Sequence, residues 1–397
     1  MKILVVCQHY WPEPYRLADL CEELAQRGHE VHVVTDVPNY PEGYIYKEYS
    51  RGKNRHQYRN GVEISRTFTI GRRKNSIFRL LNYISYCLSS TAYIRKLPAD
   101  YDVVLAYQTS PVTMSHAATV YAKKHNKKTV LYCMVLWPAS LCVGGVPEKS
   151  LIFKWFWRIS KAIYSQADRL LVSSPRFEEY LCEQFGIAHE KIAYLPQYAD
   201  TVCPIEESGP KETLDLVFAG NVGAAQSIET ILKAADLLKE YKSIRWHIAG
   251  NGSALESSKA LAQELGLGET VSFHGYLSGD DLQALYRLGD AMLITLTSDP
   301  VISMTLPMKL MSYMASGKGI IAAADGAVAD VIKEAGCGYA VKADSPELLA
   351  EAVLKFRQDE SRDSFGRRAR EYYAGHFARE MFMSQIEKEL AAGCGQN

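Results

Sequence analysis

The sequence carries no net charge: 45 Lys and Arg balance 45 Asp and Glu over 397 residues. That balance argues against a chain that binds nucleic acid as a polyanion, although local patches survive a zero sum. No two of the nine cysteines form a C-x-x-C pair, and their number is odd. Reduced, mostly buried thiols are therefore expected instead of a disulfide or zinc framework. Cys7 to Arg16 contains no glycine, so a dinucleotide-binding G-x-G-x-x-G is missing after the first strand and a dehydrogenase is disfavoured. The apolar start up to Cys7 is too short for a secretory leader. Thr129–Val146 runs eighteen residues without a charge, close to a membrane-spanning length. Pro138 and the Gly144-Gly145 pair interrupt it, so it reads as a buried strand followed by an apolar loop. Repeats and low-complexity tracts are missing too.

What is present is an α/β pattern written twice. Lys2–Cys7 reads as a strand, and Leu17, Leu20, Cys21 and Leu24 recur at helical spacing. Arg27-Gly28 ends that helix, and Glu30–Thr35 reads as a β-branched strand. A βαβ unit implies a parallel sheet. Further strands are expected at Asp102–Tyr107, Thr129–Leu136 and Arg169–Ser173. A polar, Pro-containing stretch at 200–212 reads as a linker. Beyond it the pattern restarts, with strands at Leu214–Ala219, Arg245–Ala249, Val271–His274, Ala291–Leu296 and Gly319–Ala323 and a helix over Ser227–Tyr241. The expected division is 1–200 and 201–377, with a last helix near 378–395 packing back on the first domain.

Residues 47–97 hold twelve Lys/Arg against Glu48 and Glu63 alone. Within them Arg72, Arg73 and Lys74 lead into Ile77, Phe78, Leu80, Leu81, Tyr83 and Ile84. Basic residues beside an apolar helix suit an anionic membrane surface, and Phe153–Arg158 has a similar aromatic-basic character. Both stretches also fit ordinary helices packed on the first sheet. No motif for nucleic acid accompanies the charge.

In the second half three strands each run into a glycine turn: Gly220 and Gly223, Gly250-Asn251-Gly252, and Gly275 before Tyr276 and Leu277. Glycine lets backbone approach a ligand, and helix N-termini favour phosphate, although tight packing alone explains such turns equally well. Pro307 suits a first helical turn. Lys309 there gains nothing from the helix dipole, so an anionic partner, pyrophosphate, would explain it. An exposed lysine that merely tolerates its position remains the plain alternative.

Taken in order, HYWPEPYR at His9–Arg16, PNYPEG at Pro38–Gly43, LWPAS at Leu136–Ser140, FAGNVG, AGNG, FHGYL, LPMKLMSYMASGK and AGCGYAV at Ala335–Val341 resemble bacterial glycosyltransferases of family four. The resemblance spans nearly the whole chain. It implies two Rossmann-like domains facing across a cleft, the GT-B arrangement, and suits the subgroup that builds surface polysaccharides such as O-antigen or capsule. By the same resemblance the second domain takes a nucleoside diphosphate sugar, UDP-linked by expectation, through Gly220, Asn221, Gly223, Gln226, Gly250, Asn251, Tyr276, Leu277, Pro307, Met308, Lys309 and Ser312. The first takes a lipid-linked saccharide, with Arg16, Asn39, Tyr40 and Trp137 on the acceptor side and His9 and Glu13 as acid-base candidates. Tyr40, Trp137 and His9 each also admit a purely structural reading. Membrane contact would fall to Arg72, Arg73, Lys74 and Phe78. The expected setting is the inner face of the cell membrane, with no cofactor and no metal.

The chain departs from the family pattern at Met304 and Ser312, where relatives carry two glutamates, and at Val135 and Ala139, where relatives carry acids. Asn221 and Gln226 stand where a basic pair is usual. Phosphate charge would then fall to Lys309, loop amides and helix dipoles. The rivals are a degenerate binding or scaffold subunit, which these neutral replacements favour, and a nucleotide-sugar epimerase, which would need carboxylates the chain lacks.

Overall fold

A computed structural model describes residues 1–73, 75–199, 202 and 211–393. The chain divides into two compact units, Met1–Leu195 with the C-terminal stretch from Met383, and Pro196–Phe382. The division therefore falls at Leu195/Pro196 and not at 200/201; most of the linker stretch lies outside the described residues.

The first unit is built on eight strands: β1 (Lys2–Val6), β2 (Glu30–Thr35), β3 (His56–Arg59), β4 (Val62–Arg66), β5 (Val103–Gln108), β6 (Lys128–Cys133), β7 (Arg169–Val172) and β8 (Ile192–Tyr194). Their order is β3-β4-β2-β1-β5-β6-β7-β8. Every pairing is parallel except the β3–β4 hairpin at the edge. The second unit holds β9 (Leu214–Ala219), β10 (Ile244–Ala249), β11 (Val271–Gly275), β12 (Ala291–Thr295), β13 (Gly319–Ala323) and β14 (Gly338–Val341), all parallel, in the order β11-β10-β9-β12-β13-β14. Central strands such as β1, β5 and β9 are almost wholly buried, as strands covered by helices on both faces must be.

In each sheet the winding direction reverses once. From β1 the chain moves outward through β2 and β4, then returns to β5; from β9 it moves through β10 and β11, then returns to β12. Loops diverge at such a reversal and leave a crevice at the carboxyl edge, where doubly wound folds bind ligands.

The expected run from Thr129 resolves as β6, which stops at Cys133, then a loop and a single turn at Ser140–Val143. Among the described residues no helix is long and apolar enough to cross a membrane, and no disulfide joins the cysteines. The last helix, Arg379–Gly393, places Glu387 against Arg27 (3.1 Å) and His29 (2.9 Å), and Glu389 against Arg169 (2.6 Å).

Candidate functional site

At the carboxyl edge of β1 the chain turns through His9 and Glu13, both 3% exposed. His9 Nδ1 lies 2.7 Å from Glu13 Oε2. Glu13 Oε1 accepts the backbone N–H groups of Asn39 (2.6 Å) and Tyr40 (2.7 Å), so one carboxylate ties the loop after β1 to the loop after β2. A carboxylate only accepts, so Nδ1 carries a ring proton toward it. Nε2 is buried and has no partner among the described residues. Tyr15 stacks on the ring at 5.0 Å and Tyr40 tilts against it at 5.8 Å.

Asp36, directly after β2, joins this pair, and its Oδ1 is likewise buried and unpartnered. Burial first, and then the charge of Glu13, hold its carboxyl well above the usual carboxylate range. Sequence reading passed it over; its place after the second strand, matching that of His9 after the first, is the signal that would have found it. Ligand atoms of His9, Glu13 and Asp36 lie within 4.8 Å of one another, a set of cation-ligating types. Both Glu13 oxygens are already engaged, so the arrangement fits a hydrogen-bonded dyad better than a cation cage. The only D-x-D spacing, Asp100-Tyr101-Asp102, lies at the amino end of β5. There Asp100 accepts from Lys2 Nζ (2.5 Å) and Asp102 from the Lys2 N–H (2.7 Å).

The acceptor-side candidates separate. Asn39 is fully buried; its amide donates to Asp36 Oδ2 (3.1 Å) and the Val37 carbonyl (2.9 Å), and its Oδ1 accepts from Arg72 N–H (3.2 Å) and Asn82 (3.3 Å). It therefore holds the loop and offers no atom to a saccharide. Trp137 is core as well: its ring meets Phe156 edge-on at 5.2 Å and its indole N–H donates to Ser110 Oγ at 3.1 Å. Arg16 and Tyr40 are half-buried at the same edge. The Arg72 guanidinium lies over Tyr40 (5.6 Å) and Tyr83 (5.8 Å), so it braces the loop. Arg73 is exposed with its guanidinium 3.9 Å from the centre of the half-buried Phe78 ring. Lys74 lies outside the described residues.

In the second unit the three glycine turns sit side by side, because β11, β10 and β9 are neighbours. Gly220 N–H donates to the Ala249 carbonyl (3.0 Å), Gly250 N–H to Gly275 (2.6 Å) and Val222 N–H to Asn251 (2.8 Å). Gly250 has φ +136°, and a Cβ there would stand 1.8 Å from the Gly220 carbonyl oxygen. The turns are therefore locked to one another, and only glycine fits. Asn221 Nδ2 donates to Gln226 Oε1 at 3.0 Å, Gly223 is buried, and Asn251 is exposed. Tyr276 stands 71% exposed beyond β11, beside a half-buried Leu277.

After β12 the chain reaches the helix Met308–Ala315, with Pro307 as the residue before its first turn. Tyr313, which sequence reading also missed, pins this helix to β9: its hydroxyl donates to the Ala219 carbonyl (2.9 Å) and accepts the Ala219 N–H (2.7 Å). Lys309 is thereby laid along the Gly220 turn, its Nζ 3.7 Å from the centre of the Phe218 ring and 3.2 Å from where a Gly220 Cβ would stand. Part of the side chain stays accessible, yet Nζ itself is sealed and unpartnered. Burial alone pulls its pKa down to about 7, so it is no exposed lysine that merely tolerates its place. Ser312, a turn further on, is half-buried and returns its hydroxyl to the Met308 carbonyl at 3.4 Å. Met304 is half-buried too, and Ala139 is buried.

Residues 15–202 match the family described as Glycosyltransferase Family 4, and residues 205–372 match Glycosyl transferases group 1. A putative colanic acid biosynthesis glycosyl transferase, WcaI of Escherichia coli K12, is 24% identical over 82% of this chain and 84% of its own length. A probable glycosyltransferase, WbjE of Pseudomonas aeruginosa, is 28% identical over 64% and 65%. WaaG, a glycosyltransferase involved in lipopolysaccharide biosynthesis, superposes with a TM-score of 0.70 at 15% identity over 99% of this chain and all of its own. Anabaena HepE, solved with UDP and glucose, superposes with a TM-score of 0.71 at 13% identity over 98% and 99%; at such identities the likeness is one of fold.

Proposed function

The chain belongs to the family-four, group 1 glycosyltransferases, and from that membership we propose that it moves a hexosyl group from a UDP-linked sugar to a lipid-linked glycan acceptor in surface polysaccharide biosynthesis. The observation that carries the donor half is the Gly220–Gly250–Lys309 constellation: backbone brought close by glycine, and a lysine nitrogen that has no partner among the described residues. Breaking the anomeric C–O bond leaves negative charge on the departing diphosphate. Loop amides and Lys309 oppose that charge more strongly in the transition state than before it.

Transfer proceeds with retention. The acceptor hydroxyl attacks the anomeric carbon from the face the diphosphate leaves, a new C–O bond forms, and a β-phosphate oxygen takes the hydroxyl proton. No nucleophilic side chain is required, which is compatible with neutral Met304 and Ser312. On the first unit His9 Nε2 is the atom left for the acceptor hydroxyl, and Glu13 fixes the ring that carries it. The test is a panel of nucleotide sugars with a lipid-linked acceptor, read as release of nucleoside diphosphate. Turnover with a UDP-sugar supports the reading; binding without turnover supports the rival scaffold, which the neutral residues favour.

A membrane surface would bring the lipid-linked acceptor. The helix Ser76–Ile94 is inverted: it buries Asn82, Tyr86, Ser90 and Thr91 and exposes Ile77 (69%), Leu80, Leu81, Ile84 and Leu88 (66%) along one face. Exposed Arg73 and Arg79 border the apolar row. The helix Leu151–Gln166 begins at the same carboxyl edge with Leu151 (84%), Ile152 and Trp155 exposed. Exposed apolar side chains flanked by cations match an anionic leaflet. Changing Ile77, Leu80 and Ile84 together to serine is expected to lower sedimentation with phosphatidylglycerol vesicles at least tenfold, since each such side chain contributes up to about 1.5–3 kcal/mol when fully buried. Unchanged sedimentation would return the helix to plain scaffold.

A further inference from the structure

Lys309 stands in an environment that disfavours its own charge. Its Nζ is out of contact with water and has no hydrogen-bond partner among the described residues. The face of Phe218 attracts a cation, but the loss of hydration on burial opposes the charge more strongly. Lys309 is the second residue of the helix Met308–Ala315, and the partial positive charge of a helix N-terminus repels a cation further. We propose that Lys309 rests as a neutral amine in the unliganded protein and takes up a proton as the donor diphosphate binds, so that donor binding is proton-coupled. The inference rests on the donor reading above and adds the charge state that reading leaves open.

The two negative charges of a bound pyrophosphate supply what the protein withholds. An ammonium beside them recovers in Coulomb attraction and hydrogen bonds what it lost in hydration. With burial holding the resting amine at about 7, uptake approaches one proton at pH 8 and falls to about half a proton at pH 7. Above pH 8, donor affinity falls about tenfold per pH unit until the pKa of the complex is reached. A nucleoside diphosphate sugar has no phosphate monoester, the group that titrates near pH 6, so the proton is not taken up by the ligand.

The other titratable groups on the packed elements are few. The Tyr313 phenol, on the same helix, is held well above its ordinary value by burial and stays neutral throughout. Tyr286 packs edge-on against Tyr313 at 5.8 Å. Beside the Gly275 turn, His274 Nε2 meets His247 Nδ1 at 3.0 Å, and His247 Nε2 meets Asp215 Oδ1 at 3.0 Å. Burial, then His247, lower the His274 pKa, so it too is neutral at pH 8. Any uptake by this chain survives replacement of Lys309, which separates the two sources.

The experiment is isothermal titration calorimetry of the full-length protein at pH 8 with UDP-N-acetylglucosamine and UDP-glucose, in HEPES and in Tris, whose ionisation enthalpies differ. The wild type is expected to give buffer-dependent heats corresponding to nearly one proton taken up. Lys309→Arg, whose guanidinium is charged at every working pH, is expected to bind with no uptake. Binding without uptake in the wild type, or equal uptake in Lys309→Arg, overturns the proposal and leaves the donor reading standing. No binding of either sugar removes the donor reading and this proposal with it. Should Lys309→Arg fail to bind, 13Cε-lysine spectra of the unliganded wild type decide: a Lys309 midpoint near pH 7 upholds the proposal and one above pH 9 defeats it.

Discussion

Lys309→Met is expected to raise the Tm of the unliganded protein by several degrees at pH 7 and to abolish donor binding. Methionine keeps an unbranched, polarizable chain over Phe218 and removes a nitrogen that is buried with no hydrogen-bond partner among the described residues. The sign follows from the lowered pKa. The unfolded chain binds a proton at Lys309 below its ordinary 10.5, while the folded chain binds one only below about 7. The wild type therefore loses stability as pH falls from 10.5 to 7, and the loss stays constant below that, on the order of several kcal/mol in all. The advantage of Lys309→Met should be largest at pH 7 and shrink toward pH 10. Calorimetric scans at both pH values check this; a lower Tm at pH 7, or a gain independent of pH, would show that the amine is solvated after all. Such a trade of stability for a ligand contact is what a binding residue entails.

Gly250→Ala is expected to cost more than about 3 kcal/mol and to remove donor binding as well. Its Cβ would fall 1.8 Å from the Gly220 oxygen in a backbone with φ +136°, a position no rotamer can relieve because both partners are backbone. Gly266→Ala is the control: φ is +68° there, yet nothing lies within 4 Å of the added carbon, so about 1 kcal/mol of backbone strain is all it should show. Urea unfolding of the two variants separates steric lock from simple turn preference. Equal, mild costs would mean that the turns after β9 and β10 are not locked together.

What could be read from residues alone was the alternation of strands and helices, because the buried parallel strands carry apolar runs such as Ile3–Val6 in β1, Val103–Tyr107 in β5 and Leu216–Ala219 in β9. The hairpin of β3 and β4 escaped notice: it is short and polar, although Asn60-Gly61, both at positive φ, is the turn pair that marks such hairpins. The glycine turns of the second unit were legible because each follows a strand. The acceptor-side residues were less so, since residue type does not say which way a side chain faces. Asn39 and Trp137 look functional in the sequence, but their polar atoms are consumed by Asp36, Asn82 and Ser110. Asp36 left only the trace of its place after the second strand, and Tyr313 acquires meaning only once its hydroxyl is seen to pair with Ala219. The state of Lys309 was beyond sequence entirely, because it depends on Phe218 lying under Nζ and on no carboxylate among the described residues reaching it.

Differential scanning calorimetry of the full-length protein with UDP-N-acetylglucosamine, UDP-glucose and NAD, each against Lys309→Met, puts the donor site to the most direct trial. A UDP-sugar at a hundred times its Kd should stabilise the wild type by about 2.7 kcal/mol, NAD should do markedly less, and Lys309→Met should respond to none. Equal protection by NAD, or a Lys309→Met protein stabilised as fully as the wild type, would contradict a diphosphate held by the glycine turns and Lys309.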